Sequence, residues 1–421
     1  MQQPQGYVHA SKPHYVCKLL KSLYGLKQAP RAWFERFTSQ LLHLGFVASM
    51  ADSSLFVYQS GSTILYLLLY VDDIIITGNT PNQITLLISA LSATFDLKDL
   101  GPLNYFLGIQ ITPSKFGLTL SQTKYASDVL HRFNMHNSKP TKTPCCPATR
   151  LTPESGMPLS DPSTYRSMVG ALQYLTFTRP DLAFSVHQLC QFMQSPTTAH
   201  LEAAKRVLRY VRGTLSHGIY FSRGPLTLTA FSDADWAGDP FDRKSTTGFM
   251  VFLGSNPISW SSKKQCTVSR SSTEAEYRAL ATTAAELSWL RQLFRDLLLF
   301  LHHIPILWCD NVSAIALASN PVFHARTKHV EVDYHFIRER VLRKDLAVSF
   351  VSGKDNLADI FTKSLPGPLF LLFRDKLMPR AFPIRLRGDD NISSKTEHQL
   401  QSKEEDDQAR IDLTHTCASL N

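Results

Sequence analysis

Leu226-Thr227-Leu228-Thr229-Ala230-Phe231-Ser232-Asp233 alternates apolar and polar side chains and ends on a carboxylate. Period-two alternation puts one face toward a core, so the stretch predicts a β-strand that delivers Asp233 at its end. Asp235, two residues on, shares that face by the same period. Thr246 to Leu253 and Pro257 to Ser261 continue as an antiparallel meander, and a long helix starts at Ser272. Ile306-Leu307-Trp308-Cys309 reads as a short strand ending at Asp310, which then caps a helix through Leu317. Leu346 to Val351 is another strand, and Asp359 lies on a helix after Gly353. The order β-β-β-α-β-α-β-α predicts a mixed sheet with flanking helices.

The long helix offers Glu274 and Glu276. Tyr277, Leu280, Ala281, Ala284 and Leu287 form the buried stripe, and Glu276 sits on its shoulder. From Glu274 the same spacing reaches Arg278 and Thr282, so Glu274 is expected to face outward. Asp233, Glu276, Asp310 and Asp359 are therefore the candidate catalytic and metal-binding set. In-line hydrolysis of a phosphodiester uses one metal ion to activate water and another to stabilise the leaving oxygen, about 4 Å apart. Mg²⁺ is a hard ion that takes oxygen ligands, so carboxylates on rigid strand ends suit it. Taken singly, each acid reads as a helix cap or a solvated charge; in this order, the joint reading is a metal centre.

Composition sets the surroundings. A chain of 421 residues with 43% hydrophobic and 19% charged residues is globular and long enough for two or three domains. Net charge is +9, yet residues 388–412 hold eight acids against three bases, which leaves about +14 on the remainder. A body this basic fits a polyanion partner. The seven cysteines form no Cys-x-x-Cys pair, which disfavours a zinc framework and suits reduced thiols in the cytoplasm or nucleus. No signal peptide or transmembrane run is read, so no membrane partner is expected.

Upstream, residues from about Arg31 to Leu44 have helical spacing, and Leu55 to Tyr58 with Ile64 to Tyr70 predict a hairpin around Gln59-Ser60-Gly61-Ser62. Asp72 and Asp73 sit where that second strand meets Ile74-Ile75-Ile76, a hairpin with carboxylates at its bend. Thr80 to Phe95 is a predicted helix and Tyr105 to Ile111 a predicted strand. Six prolines between Pro140 and Pro162 mark a linker. Residues 163–213 read helical. On the helix from Thr198 to Val211, Lys205, Arg206, Arg209 and Arg212 form a basic face; with Lys263, Lys264 and Arg270 they are candidate phosphate contacts. Ser393 to Asp407 is polar enough to be disordered.

Three segments carry a resemblance: Ser232-Asp233-Ala234-Asp235-Trp236-Ala237-Gly238, Ser271-Ser272-Thr273-Glu274-Ala275-Glu276-Tyr277 and Lys354-Asp355-Asn356-Leu357-Ala358-Asp359. They resemble the ribonuclease H domain of copia-type retrotransposons. The resemblance implies cleavage of RNA in RNA·DNA hybrids with Mg²⁺, or Mn²⁺ in its place, through Asp233, Glu276, Asp310 and Asp359. Many members carry a His in the loop before the last Asp, and residues 351–355 have none. His329 and His335 stand as candidates whose spacing favours structural roles. Tyr70-Val71-Asp72-Asp73 resembles the catalytic hairpin of reverse transcriptases, which implies a metal-binding role for Asp72 and Asp73. Leu23-Tyr24-Gly25-Leu26-Lys27-Gln28-Ala29-Pro30-Arg31-Ala32-Trp33 is similar to the segment that lies against template and nucleotide, which implies contacts at Gly25 and Lys27. Leu97 to Gly101 and Tyr105 to Ile109 also match in order.

The resemblance predicts an α+β and α/β multidomain fold. Its parts are a partial reverse-transcriptase palm (1–139), a Pro-rich linker and helical connection (140–225), a ribonuclease H-like mixed sheet with flanking helices (226–366) and a divergent tail (367–421). Polymerisation needs a third carboxylate, and no acid precedes Glu35. The expectation is a retroelement fragment with hybrid-cleaving activity and without polymerase activity. The alternatives are an inactive nucleic-acid-binding relic and, last, a polymerase that borrows a strand from another chain. A sheet edge exposed by a missing N-terminal strand, with poor solubility as its consequence, is also expected.

Overall fold

Leu65, Leu67 and Leu69 alternate with half-buried neighbours, and Ile74 and Ile76 do the same on the next strand. That alternation builds one face of the N-terminal sheet in the computed structural model, which describes residues 1–19, 23, 25–147, 150–319 and 331–378 and the backbone of 414–420. The chain divides into two compact units, Met1–Leu103 with Glu404–Asn421, and Asn104–Lys403.

In the first unit, α1 (Ala29–His43) precedes β1 (Val47–Ala48), β2 (Leu55–Ser60), β3 (Thr63–Tyr70) and β4 (Asp73–Gly78), then α2 (Pro81–Ser92) and β5 (Leu97–Pro102). Phe37 and Leu41 of α1 and Ile84, Leu87 and Leu91 of α2 pack on the Leu65–Ile76 face with Phe56 and Phe95. Pairing of Ser60 with Thr63 leaves Gly61-Ser62 as a two-residue turn, and Gly61 supplies the positive φ of 59° that such turns demand. The sheet runs β1-β2-β3-β4, then the C-terminal strand Thr414–Leu420, then β5. The C-terminal strand lies between β4 and β5 and is antiparallel to both.

The second unit opens with β6 (Tyr105–Phe106), β7 (Ile109–Ser114) and β8 (Gly117–Ser121). The single strand expected from Tyr105 to Ile111 is instead a tight hairpin. Leu107 and Gly108 both take positive φ, at 46° and 74°, and reverse the chain. The helices α3 (Thr123–Arg132), α4 (Ser163–Leu175), α5 (Ala183–Cys190) and α6 (Thr198–Gly213) follow, and β9 (Gly218–Ser222) returns to pair with β8. The Pro-rich stretch is tied to this body: Thr141 N–H donates to Arg209 O, and Leu159 N–H to Pro196 O.

A five-stranded sheet of order β12-β11-β10-β13-β14 forms the rest: β10 (Leu228–Asp235), β11 (Thr246–Leu253), β12 (Asn256–Lys264), β13 (Ile306–Cys309) and β14 (Ala347–Phe350). β11 is antiparallel to β10 and β12, and β13 is parallel to β10 and β14. Between them run α7 (Ser272–Asp296), α8 (Val312–Ser319) and α9 (Glu331–Leu342), and after them α10 (Gly367–Leu377). β11 feeds two cores. Phe249 and Val251 pack with α7, α8 and α9, whereas Met250 and Phe252 pack with α3 to α6 and α10. The helices between the two sheets therefore cover the second face of the mixed sheet, and Phe370, Phe373 and Leu377 of α10 belong to that core. Among the described residues, no helix is long and apolar enough to cross a membrane. Residues 379–413, which hold the acidic stretch, lie outside the described residues.

Candidate metal centre

Asp233 lies in β10 opposite Gly248 of β11. A Cβ at Gly248 would fall 2.7 Å from Phe361 Cβ and from Thr362 Cγ2, so glycine is what lets the turn carrying Asp359 approach the sheet. That turn is a 3₁₀ helix (Leu357–Phe361), and Asn356, fully buried, sets its position. Asn356 Nδ2 donates to Ser232 O at 3.0 Å, and its Oδ1 accepts from Ala358 N at 3.2 Å. One side chain thus joins the strand of Asp233 to the turn of Asp359.

Asp310 follows β13 directly, and the parallel register of Trp308 on Phe231 carries it alongside Asp233. Asn311, rather than Asp310, caps α8: its Oδ1 accepts from Ala314 N at 2.9 Å. Asp310 is left to the cluster because the neighbouring amide does the capping. Glu276 enters from the first turns of α7. Glu274 turns away, but it is buried, contrary to the outward position expected. Arg278 Nη2 at 2.7 Å and Arg270 N at 2.9 Å satisfy both of its oxygens, which removes the cost of burial.

One oxygen each from Asp233, Asp310 and Asp359 lies within 4.8 Å of the others, and the same span joins Glu276, Asp310 and the Cys309 sulfur. Burial, and after it Asp233 and Asp310, push the Glu276 carboxyl up to about 9. Burial and then Asp233 push Asp359 up to about 7, and the same two causes raise Asp310. Burial, followed by Glu276, also raises the Cys309 thiol, which keeps it protonated and a poor ligand. The remaining donor set is hard oxygen, which fits Mg²⁺ or Mn²⁺ and disfavours zinc. Asp235 stands beside the set: burial pushes it up to about 7, and it accepts from Thr246 N.

Two further groups address the cluster and were not visible as site residues in the sequence. The Thr362 hydroxyl donates to Asp233 Oδ2. Lys363 Nζ lies 2.9 Å from Asp359 Oδ1 and 3.6 Å from Asp233 Oδ2. Burial lowers the Lys363 ammonium, but Asp233 and Asp359 outweigh it and hold it above its ordinary value. Its signal was the i, i+4 spacing from Asp359. A cavity of about 280 Å³ adjoins, lined among others by Arg150, Gln188, Gln191, Asp235, Trp236 and Lys363.

The remaining candidates are spread out. Tyr70 pairs with Asp73, so Val71-Asp72 forms the turn, with Val71 at a positive φ of 52° and its carbonyl held by Trp33 Nε1 at 2.9 Å. Asp72 is exposed, and among the described residues neither it nor Asp73 joins a third ligand group. Gly25, at φ 87°, and Lys27 are exposed on the turn before α1, and Tyr24 lies outside the described residues. On α6 the basic face is largely committed. Arg206 donates to Thr143 Oγ1, Arg209 to Lys139 O and Arg212 to His136 O, while Lys205 pairs with Glu202 at 3.2 Å. Lys264 is tied to Asp239 at 2.5 Å and Asp242 at 3.0 Å, whereas Lys263 and Arg270 are exposed. His335 Nε2 lies 4.0 Å from Glu331 on α9, and His329 lies outside the described residues.

Residues 1–147 match the family described as reverse transcriptase (RNA-dependent DNA polymerase). The chain is 52% identical over 378 residues to the retrovirus-related Pol polyprotein from transposon RE1 of Arabidopsis thaliana, a match covering 90% of this chain and 26% of that protein. It is 34% identical over 291 residues to the transposon Ty5-1 protein of Saccharomyces cerevisiae, covering 68% of this chain and 94% of that one. The chain belongs to the copia-type retrotransposon Pol polyproteins. It spans about a quarter of the RE1 polyprotein. Among solved structures, LC11-RNase H1, isolated from compost, overlays on 32% of this chain and 93% of its own at 16% identity and a TM-score of 0.26, too low to argue from.

Proposed function

We propose that this Pol segment hydrolyses the RNA strand of RNA·DNA hybrids at the centre formed by Asp233, Glu276, Asp310 and Asp359. The observation that carries the reading is the convergence of three carboxylate oxygens from β10, the end of β13 and the 3₁₀ turn within 4.8 Å. Asp233, Asp310 and Asp359 would hold one divalent ion, and Glu276 with Asp310 would share the second. When bound, Mg²⁺ supplies activation of water and neutralisation of charge on the phosphate. The chain's own residues do the rest. Gly248 and Asn356 fix the spacing of Asp233 and Asp359, and Thr362 orients Asp233. We assign phosphate contact first to Lys263 and Arg270, which are exposed; Lys205 pairs with Glu202, and Arg206, Arg209 and Lys264 serve the fold first.

For the N-terminal unit we propose that Asp72 and Asp73 are metal ligands of a polymerase hairpin, with Gly25 and Lys27 near the template. Among the described residues neither acid belongs to a group of three ligand residues, and we propose that the 421-residue chain alone does not extend a primer. The test is a panel of end-labelled RNA·DNA hybrid, single-stranded RNA and double-stranded DNA, incubated with the full chain in Mg²⁺ and in EDTA. Selective, EDTA-sensitive loss of the hybrid's RNA supports the proposal. Hybrid binding without cleavage would leave a binding relic.

A further inference from the structure

We infer that Lys363 is a resident counter-cation of the acid cluster and sets the affinity of the centre for a divalent ion, an inference that rests on the metal-centre reading above. Lys363 stands four residues after Asp359, and the residue before it, Thr362, donates to Asp233. The turn therefore sends two successive side chains into the cluster. The ammonium bridges Asp359 at 2.9 Å and Asp233 at 3.6 Å, two of the three carboxylates that the ion would need.

A solvated ion pair of this kind would contribute little. Here the partners are buried, with side chains of Asp233 and Asp359 only 3% and 9% exposed, so water and salt screen the attraction weakly. The lysine side chain itself is 44% exposed and borders the cavity with Arg150, Gln188, Gln191 and Trp236. It has somewhere to go. A divalent ion entering the cluster must compete with the ammonium for both carboxylates. Its apparent affinity is then reduced by the fraction of time the bridge is open. If the bridge is open about a tenth of the time, the loss of affinity is about tenfold.

The experiment uses the full 421-residue chain as wild type, Lys363→Met and Lys363→Arg. Isothermal titration with MgCl₂ reads affinity, and thermal melting in EDTA reads the role of the bridge without metal. Lys363→Met is expected to bind Mg²⁺ about tenfold tighter than wild type and to melt at a lower temperature in EDTA, while Lys363→Arg stays near wild type. Equal or weaker binding by Lys363→Met overturns the inference and leaves the metal centre standing. Absence of Mg²⁺ binding in all three proteins overturns the metal-centre reading, and this inference with it. Lys363→Gln, read in the same way, serves if the Met variant does not fold.

Discussion

Replacing Glu276 with Gln should stabilise the metal-free protein at alkaline pH and weaken its response to Mg²⁺. Glu276 is 6% exposed, and burial with its neighbours Asp233 and Asp310 holds its carboxyl up at about 9. An unfolded glutamate titrates near 4.3. The folded chain therefore keeps a proton that the unfolded chain releases, and stability falls as pH rises from the unfolded value through the folded one. Below about pH 4 the two states bind equally and the effect vanishes. At pH 8, about 3.7 units above the unfolded value at about 1.4 kcal/mol per unit, the difference is at most about 5 kcal/mol in favour of a neutral amide of the same shape. Asp359, pushed up to about 7, adds to the slope in the same direction between about pH 4 and 7. Urea unfolding followed by tryptophan fluorescence reads this well, because Trp236, Trp260, Trp289 and Trp308 all lie in the second unit. In EDTA at pH 8, Glu276→Gln should raise the urea midpoint by about 1–2 M, and the gain should shrink toward pH 5. With saturating Mg²⁺ the gap should narrow, because the variant keeps the ion of Asp233, Asp310 and Asp359 and loses the second. An equal or lower midpoint for Glu276→Gln in EDTA at pH 8 would refute the reasoning.

Three other substitutions test the supports of the site. Asn356→Ala removes the link between Ser232 and the turn of Asp359, so Mg²⁺ affinity by calorimetry should fall about 10–100-fold. Gly248→Ala sets a methyl against Phe361 and Thr362; it should lower stability by about 1–3 kcal/mol in urea unfolding and weaken Mg²⁺ binding with it. Asp181→Asn breaks the buried pair with Arg179, 2.8 Å apart, and the bond from Tyr210, so stability should fall by about 3–5 kcal/mol with Mg²⁺ affinity unchanged.

The mixed sheet and its acids were legible because burial writes period two and period 3.6 directly into the sequence. The strand Leu228–Asp235 and the stripe of α7 both followed from that rule, and Glu276 rather than Glu274 meets Asp310. What was illegible depends on partners distant in the chain. Glu274 could be buried only because Arg278 and the backbone of Arg270 satisfy it. The arginines of α6 look free in sequence, yet the carbonyls of His136 and Lys139 claim two of them. Asn356 and Lys363 gain their meaning from a turn packed against β10 and β11, a contact that Gly248 permits and no local pattern announces. The break at Leu107-Gly108 lies in a pair of left-handed residues inside an otherwise strand-like stretch.

The most direct test of the account is cleavage of the labelled RNA strand of an RNA·DNA hybrid by the full chain in Mg²⁺, with Asp310→Asn alongside. The account predicts cleavage by the wild type and a loss of at least about 100-fold in the variant, since Asp310 belongs to both groups of metal-binding atoms. A wild type that binds the hybrid and leaves its RNA intact, or an Asp310→Asn variant that cuts as fast as the wild type, would contradict it.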